Sequence, residues 1–107
     1  MSQDPRTDYD EVASEIVHES EAVRGQMFGM PCLKDNGKTF AGFSKGSGSM
    51  VFKLRGDSHA EALALQGAKL FDPSGRGRPM KEWVEVPHEH ASLWPDLCRA
   101  ALASVTQ

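Results

Sequence analysis

Asn36-Gly37 separates two runs in which apolar and polar residues alternate. A two-residue connection of this type closes a β-hairpin, because both residues tolerate positive φ. It lies within residues 27–55, MFGMPCLKDNGKTFAGFSKGSGSMVFKLR, a stretch that reads as three short strands joined by two turns. In residues 27–34, Phe28, Met30 and Cys32 share one face, and Met27, Pro31 and Leu33 point the other way. Pro31 has no N–H to donate, so this strand belongs at an edge or carries a bulge. Residues 39–44 return with Phe40 and Phe43. Lys45-Gly46-Ser47-Gly48-Ser49 is a flexible loop, and Met50, Phe52 and Leu54 mark the core face of the third strand. A strand follows Gly46-Ser47-Gly48, whereas a phosphate-cradling loop needs a helix there, so these glycines belong to a turn.

The rest of the chain supplies cover for one face of this meander. Tyr9, Val12, Ile16 and Val23 recur at helical spacing, with Ala13 and Ser20 filling the stripe, which predicts a helix over 8–24. Thr7 and Asp10 form a capping-box variant at its start, and Gly25 stops it. Residues 1–6 read as a loose tail. Ser58-x-x-Glu61 opens a second helix running to Gln66, with Gly67 as its stop. Residues 68–71 form a fourth strand, 72–79 a loop and 80–86 a fifth strand, with Trp83 and Glu85 on one face and Val84 and Val86 on the other. After His88-Glu89-His90, a last helix spans 92–104, capped by Ser92, with Pro95 in its first turn. The order α-β(3)-α-β(2)-α predicts an α+β two-layer sandwich, a mainly antiparallel sheet covered by helices on one face. At 107 residues, without repeats or linkers, the chain reads as one domain over 1–107.

The net charge of −3 is unevenly placed. Asp4, Asp8, Asp10, Glu11, Glu15, Glu19 and Glu21 face only Arg6 and Arg24 in the first 24 residues, which describes a solvated acidic helix. The acidic, polar N-terminus differs from a secretory or transit segment, and no apolar run is long enough to cross a membrane. Cys32 and Cys98 lack metal or redox spacing and read as buried thiols in a cytoplasmic protein.

Arg76-Gly77-Arg78 with Lys81 is the leading interaction site. Its guanidiniums have the fork geometry for phosphate or carboxylate oxygens, and Trp83 nearby could stack or pack. The competing reading is a solvated hairpin loop whose arginines pair with local acids. Lys34, Lys38, Lys45, Lys53 and Arg55 make the meander basic against Asp35 alone, and Lys53 and Arg55 are expected opposite the core face. That arrangement suits phosphates, and it also suits any half-exposed antiparallel sheet. His88 and His90 with Glu89 do not complete a zinc set, so no metal or cofactor is expected. His59 reads as an exposed first-turn residue, and Cys32 has no identifiable base. No nucleophile elbow, Walker loop, zincin or dinucleotide motif occurs.

"MFGMPCLKDNGKTFAGF", "MVFKLRGD", "MKEWVEVP" and the closing helix together resemble the TfoX N-terminal-domain and YjbR (MmcQ-like) groups of small bacterial proteins. Met27-Phe28-Gly29, Asn36-Gly37-Lys38, the strand ending near Lys53, and Trp83 through Pro87 carry the resemblance, which spans residues 24 to 105. It implies the same α-β(3)-α-β(2)-α fold. TfoX-type proteins are linked to competence regulation and carry a second, C-terminal domain, for which residues 1–107 are not expected to have a counterpart. YjbR-like proteins resemble DNA-binding "double wing" folds, and the architecture is similar to that of secretion chaperones. The resemblance supplies no active-site residues.

Three functions follow as expectations. The first is a non-enzymatic regulatory or adaptor protein, monomeric or weakly dimeric, that meets a protein partner through the acidic helix and the groove beside loop 72–79. The second is a nucleic-acid binder placing Arg76, Arg78, Lys81, Lys53 and Arg55 on phosphates, which requires those side chains to converge. The third is an enzyme built on Asp72, His88 and His90, which requires a deep pocket.

Overall fold

A computed structural model describes residues 4–27, 29–72, 77 and 79–106. The chain is an α+β fold in which three helices pack on a six-stranded antiparallel sheet. The elements are α1 (Pro5–Glu19), β1 (Val23–Met27), β2 (Met30–Asp35), β3 (Lys38–Ser44), β4 (Ser49–Lys53), α2 (Gly56–Leu63), β5 (Lys69–Phe71), β6 (Met80–Val86), a 3₁₀ turn (His88–Leu93) and α3 (Trp94–Thr106). Strand order across the sheet is β1-β2-β3-β4-β6-β5.

The Asn36-Gly37 hairpin forms as expected, with φ of 51° and 81° and Asp35 opposite Lys38. The first strand differs. Residues 27–34 are not one strand: Met27 ends β1, β2 starts at Met30, and these two residues face each other on neighbouring antiparallel strands, so four strands precede α2 rather than three. Gly29 has φ of 74°, a conformation suited to glycine. Phe28 lies outside the described residues. Helix α1 accordingly stops at Glu19, because Ser20 Oγ donates to the Ile16 carbonyl at 2.6 Å and accepts from the Ala22 N–H at 3.1 Å. This local side-chain pairing competes with the next helical turn. Val23, expected on the helix stripe, is an exposed residue of β1 instead.

At the chain start, α1 begins at Pro5 with Asp4 as its cap residue, so residues 5 and 6 of the expected tail are helical and the helix starts ahead of the expected capping box at Thr7; residues 1–3 lie outside the described residues. Proline is favoured there because its missing N–H would lack a helical partner anyway. Helix α2 begins at Gly56, two residues before the expected Ser58 cap. Ser92 falls within the 3₁₀ turn, and α3 starts at Trp94. Pro31 sits in β2, second from the edge, where the β2–β3 register begins only at Cys32 opposite Gly42 and shifts between Leu33 and Lys34. The bulge half of that expectation fits.

Tyr9, Val12, Ala13 and Ile16 of α1, Ala62 of α2 and Trp94, Cys98, Ala101 and Val105 of α3 share one core with Phe40, Phe43, Met50, Phe52, Val84 and Val86 of the sheet. No helical residue joins the second cluster, Val51, Phe71 and Trp83, against which Met27, Met30 and Met80 pack half-buried. Directly opposite residues of an antiparallel sheet share a face. Gly25, Cys32, Gly42, Val51, Glu85 and Lys69 therefore form a row on this second, far face.

Candidate functional site

Among the expected site residues, Arg76 and Arg78 lie outside the described residues. Trp83 is 6% exposed and packs with Val51 and Phe71, so it fills the far-face cluster and offers no open ring for stacking. The β4–β6 register sets Lys53 opposite Trp83, and the Leu54 N–H donates to the Glu82 carbonyl at 2.9 Å. Lys53, Arg55 and Lys81 therefore come to one corner of the sheet. Arg55 does not stay on a strand face: it precedes α2 as its cap residue and lies 3.9 Å from Glu82. The pair is more than half exposed, so it offsets charge more than it adds stability. The Lys81 carbonyl accepts from His59 Nε2 at 2.8 Å, and the Lys53 carbonyl accepts from Ser104 Oγ at 2.8 Å. His59 is thus a tie between α2 and β6.

Asp72, His88 and His90 do not converge. His88 Nε2 meets Asp8 Oδ2 at 2.5 Å and its ring lies 5.6 Å from that of Trp94, which fastens the 3₁₀ turn to α1. His90 Nε2 donates to the Gln66 carbonyl at 2.8 Å. Asp72 accepts from the Gly77 N–H at 2.9 Å in the loop between β5 and β6. No group of three or more His, Cys, Asp or Glu among the described residues is placed to hold a metal ion.

The acids of α1 have internal partners. Arg99 of α3 reaches Glu15 at 2.6 Å, Glu19 at 2.8 Å and Asp96 at 3.1 Å, joining the two helices. Its hydrogen bonds hold the Glu19 carboxyl below its ordinary range and raise the guanidinium further. Asp10 accepts from Arg24 at 2.6 Å and Arg6 at 3.2 Å. Burial works to raise the Asp10 carboxyl, but these hydrogen bonds outweigh it and the pKa is lowered. Both guanidiniums also stand over the Tyr9 ring, that of Arg24 5.7 Å and that of Arg6 5.9 Å from its centre, a cation–π arrangement. Much of the acidic face is therefore spent on holding α1 to α3 and β1.

Among the concave surfaces of the described residues, two bear on a binding role. A cleft of about 480 Å³ lies beside the β5–β6 loop, walled by Lys69, Leu70, Asp72, Gly77, Pro79 and Glu85. A groove of about 250 Å³ runs between α2 and α3. Ala62, Leu65, Leu97 and Ala100 make it apolar, Leu93 overhangs it at 40% exposure, and Glu61 and Asp96 border it. Leu93 and Val23 are the exposed large hydrophobic residues of the described chain. The sequence reading did not find this groove. Its available signal was Leu93, Leu97 and Ala100, spaced four and three apart and offset from the buried stripe of α3.

No helix among the described residues is long and apolar enough to cross a membrane. The chain matches no protein-family model, no curated protein and no solved structure.

Proposed function

We propose that this domain is a non-catalytic protein-binding module of regulatory or adaptor type, acting in the cytoplasm, and that the α2–α3 groove is its contact site. The exposed Leu93 beside an apolar, acid-bordered groove carries this reading. Soluble domains bury leucine where they can, and an apolar trough with charged borders suits an amphipathic segment. The borders, Glu61 and Asp96, favour a partner helix whose leucines are flanked by Lys or Arg. The resemblance to TfoX N-terminal and YjbR-like proteins, with its two-layer sandwich, agrees with a regulatory role.

A labelled amphipathic peptide with leucines four apart and lysine flanks tests this by fluorescence anisotropy, beside the same peptide with glutamate flanks. The lysine peptide is expected to bind more tightly, and Leu93→Ala to weaken it by about tenfold, the equivalent of a partly buried leucine. Equal binding of the two peptides, or an unaffected Leu93→Ala, would refute the reading.

The corner formed by Lys53, Arg55 and Lys81 favours a second reading, contact with nucleic-acid phosphates. It requires binding to labelled single-stranded or duplex DNA that falls steeply with salt and is lost in Lys53→Glu/Lys81→Glu. Flat titrations at low salt would end it.

A further inference from the structure

The two edges of the sheet differ. β5 is three residues long, shifts register against β6 and carries an exposed lysine, all of which discourage further pairing. β1 is five residues, regular against β2, and its one charged side chain, Arg24, is held by Asp10. Pro31, opposite Gln26, has no N–H to exchange, so the hydrogen-bonded pairs with β2 are those of Met27, Gly25 and Val23. By alternation, the N–H and C=O groups of Arg24 and Gln26 point out of the sheet, and both residues are exposed. Val23, 56% exposed, adds an apolar side chain on the far face.

Lys34 states what chemistry the edge takes. Its side chain lies across Gly25: a Cβ added there would stand 3.0 Å from Lys34 Cε and 3.6 Å from Nζ. The ammonium thus sits over the middle of the edge strand, and it makes no hydrogen bond or ion pair among the described residues. Antiparallel pairing with a second copy centred on Gly25 would set two such ammoniums against each other. A foreign strand with a carboxylate at that position would instead neutralise the charge.

We propose that β1 is a docking edge for an extended acidic peptide, which adds a seventh strand. Its acidic residue lies opposite Gly25 against Lys34, with apolar residues two positions away on either side against Val23 and Met27. This surface is separate from the α2–α3 groove, so each can fail alone.

The probes are the acetylated, amidated peptides Thr-Val-Thr-Glu-Thr-Val-Thr and its Lys-centred counterpart, titrated into isotope-labelled protein and followed by amide shifts and hydrogen exchange. The Glu peptide is expected to shift and protect the Arg24 and Gln26 amides, at least tenfold more tightly than the Lys peptide. Lys34→Ala should erase that preference. The comparison of peptides on the unaltered protein stands even if the variant folds poorly. Equal response to both peptides, shifts centred on the groove, or no response would overturn the proposal. So would protection of these amides that rises with protein concentration alone, because a second copy would then occupy the edge.

Discussion

Cys98 is fully buried in α3, and burial pushes its thiol from 9.0 up to about 12, with the Arg99 charge opposing. Burial also raises Cys32 and the unbonded Tyr9 hydroxyl. A raised pKa means that the native state keeps a proton that the unfolded chain releases. The stability this adds is complete below pH 9 and drains away as pH rises towards 12. Urea unfolding between about pH 8 and pH 11 should show stability falling by up to about 1.4 kcal/mol per unit for Cys98 alone. Cys98→Ala should give a shallower fall, with Cys32 and Tyr9 supplying the remainder. A fall of unchanged slope would count against the burial account.

Among the elements, the turn that carries the chain from α2 to β5 depends on one small residue. Gly67 has φ of 85°, and a Cβ there would approach Pro87 Cγ to 3.1 Å. The glycine thus lets the chain turn from α2 into β5 while lying against the residue that ends β6. Gly67→Ala combines a left-handed backbone with that contact and should cost about 1–2 kcal/mol in chemical denaturation. The glycine was legible in the sequence as a break, but α2 itself stops earlier than the expected Gln66, at Leu63 with Ala64 as its cap residue, and Gly67 belongs to the turn that follows. β6 was legible too, since Trp83 to Val86 alternate without a break and Pro87 closes them. β1 was not: Val-Arg-Gly-Gln-Met has little β-propensity, and the polar Ser20 stop mimics a helical position. The α2–α3 groove was hidden for a different reason. Its walls come from residues about 35 apart in sequence, and side-chain packing of two helices, which no local pattern encodes, brings them together. The corner of Lys53, Arg55 and Lys81 likewise follows from strand register.

Across the whole molecule, the sheet serves two clusters at once. β4 sends Met50 and Phe52 to the helix side and Val51 to the far face, and β6 sends Val84 and Val86 one way and Trp83 the other. Neither cluster can come apart while the shared strands stay paired, so one cooperative transition is expected. The two tryptophans report the two sides, Trp94 at 0% exposure under the helices and Trp83 at 6% on the far face. Single-tryptophan variants, Trp83→Phe and Trp94→Phe, should each give a fluorescence midpoint in urea that coincides with that variant's own circular dichroism midpoint. An earlier loss of Trp83 signal would mean that the far face melts independently. The same division has an oxidative consequence. Met50 is sealed at 0% exposure, whereas Met27, Met30 and Met80 lie half-buried on the side without helices. Mild peroxide should convert those three to sulfoxides and spare Met50, turning a greasy patch polar while the main core keeps its packing. Peptide mass spectrometry of protein treated with and without a bound partner would then reveal, methionine by methionine, whether that side of the sheet is covered.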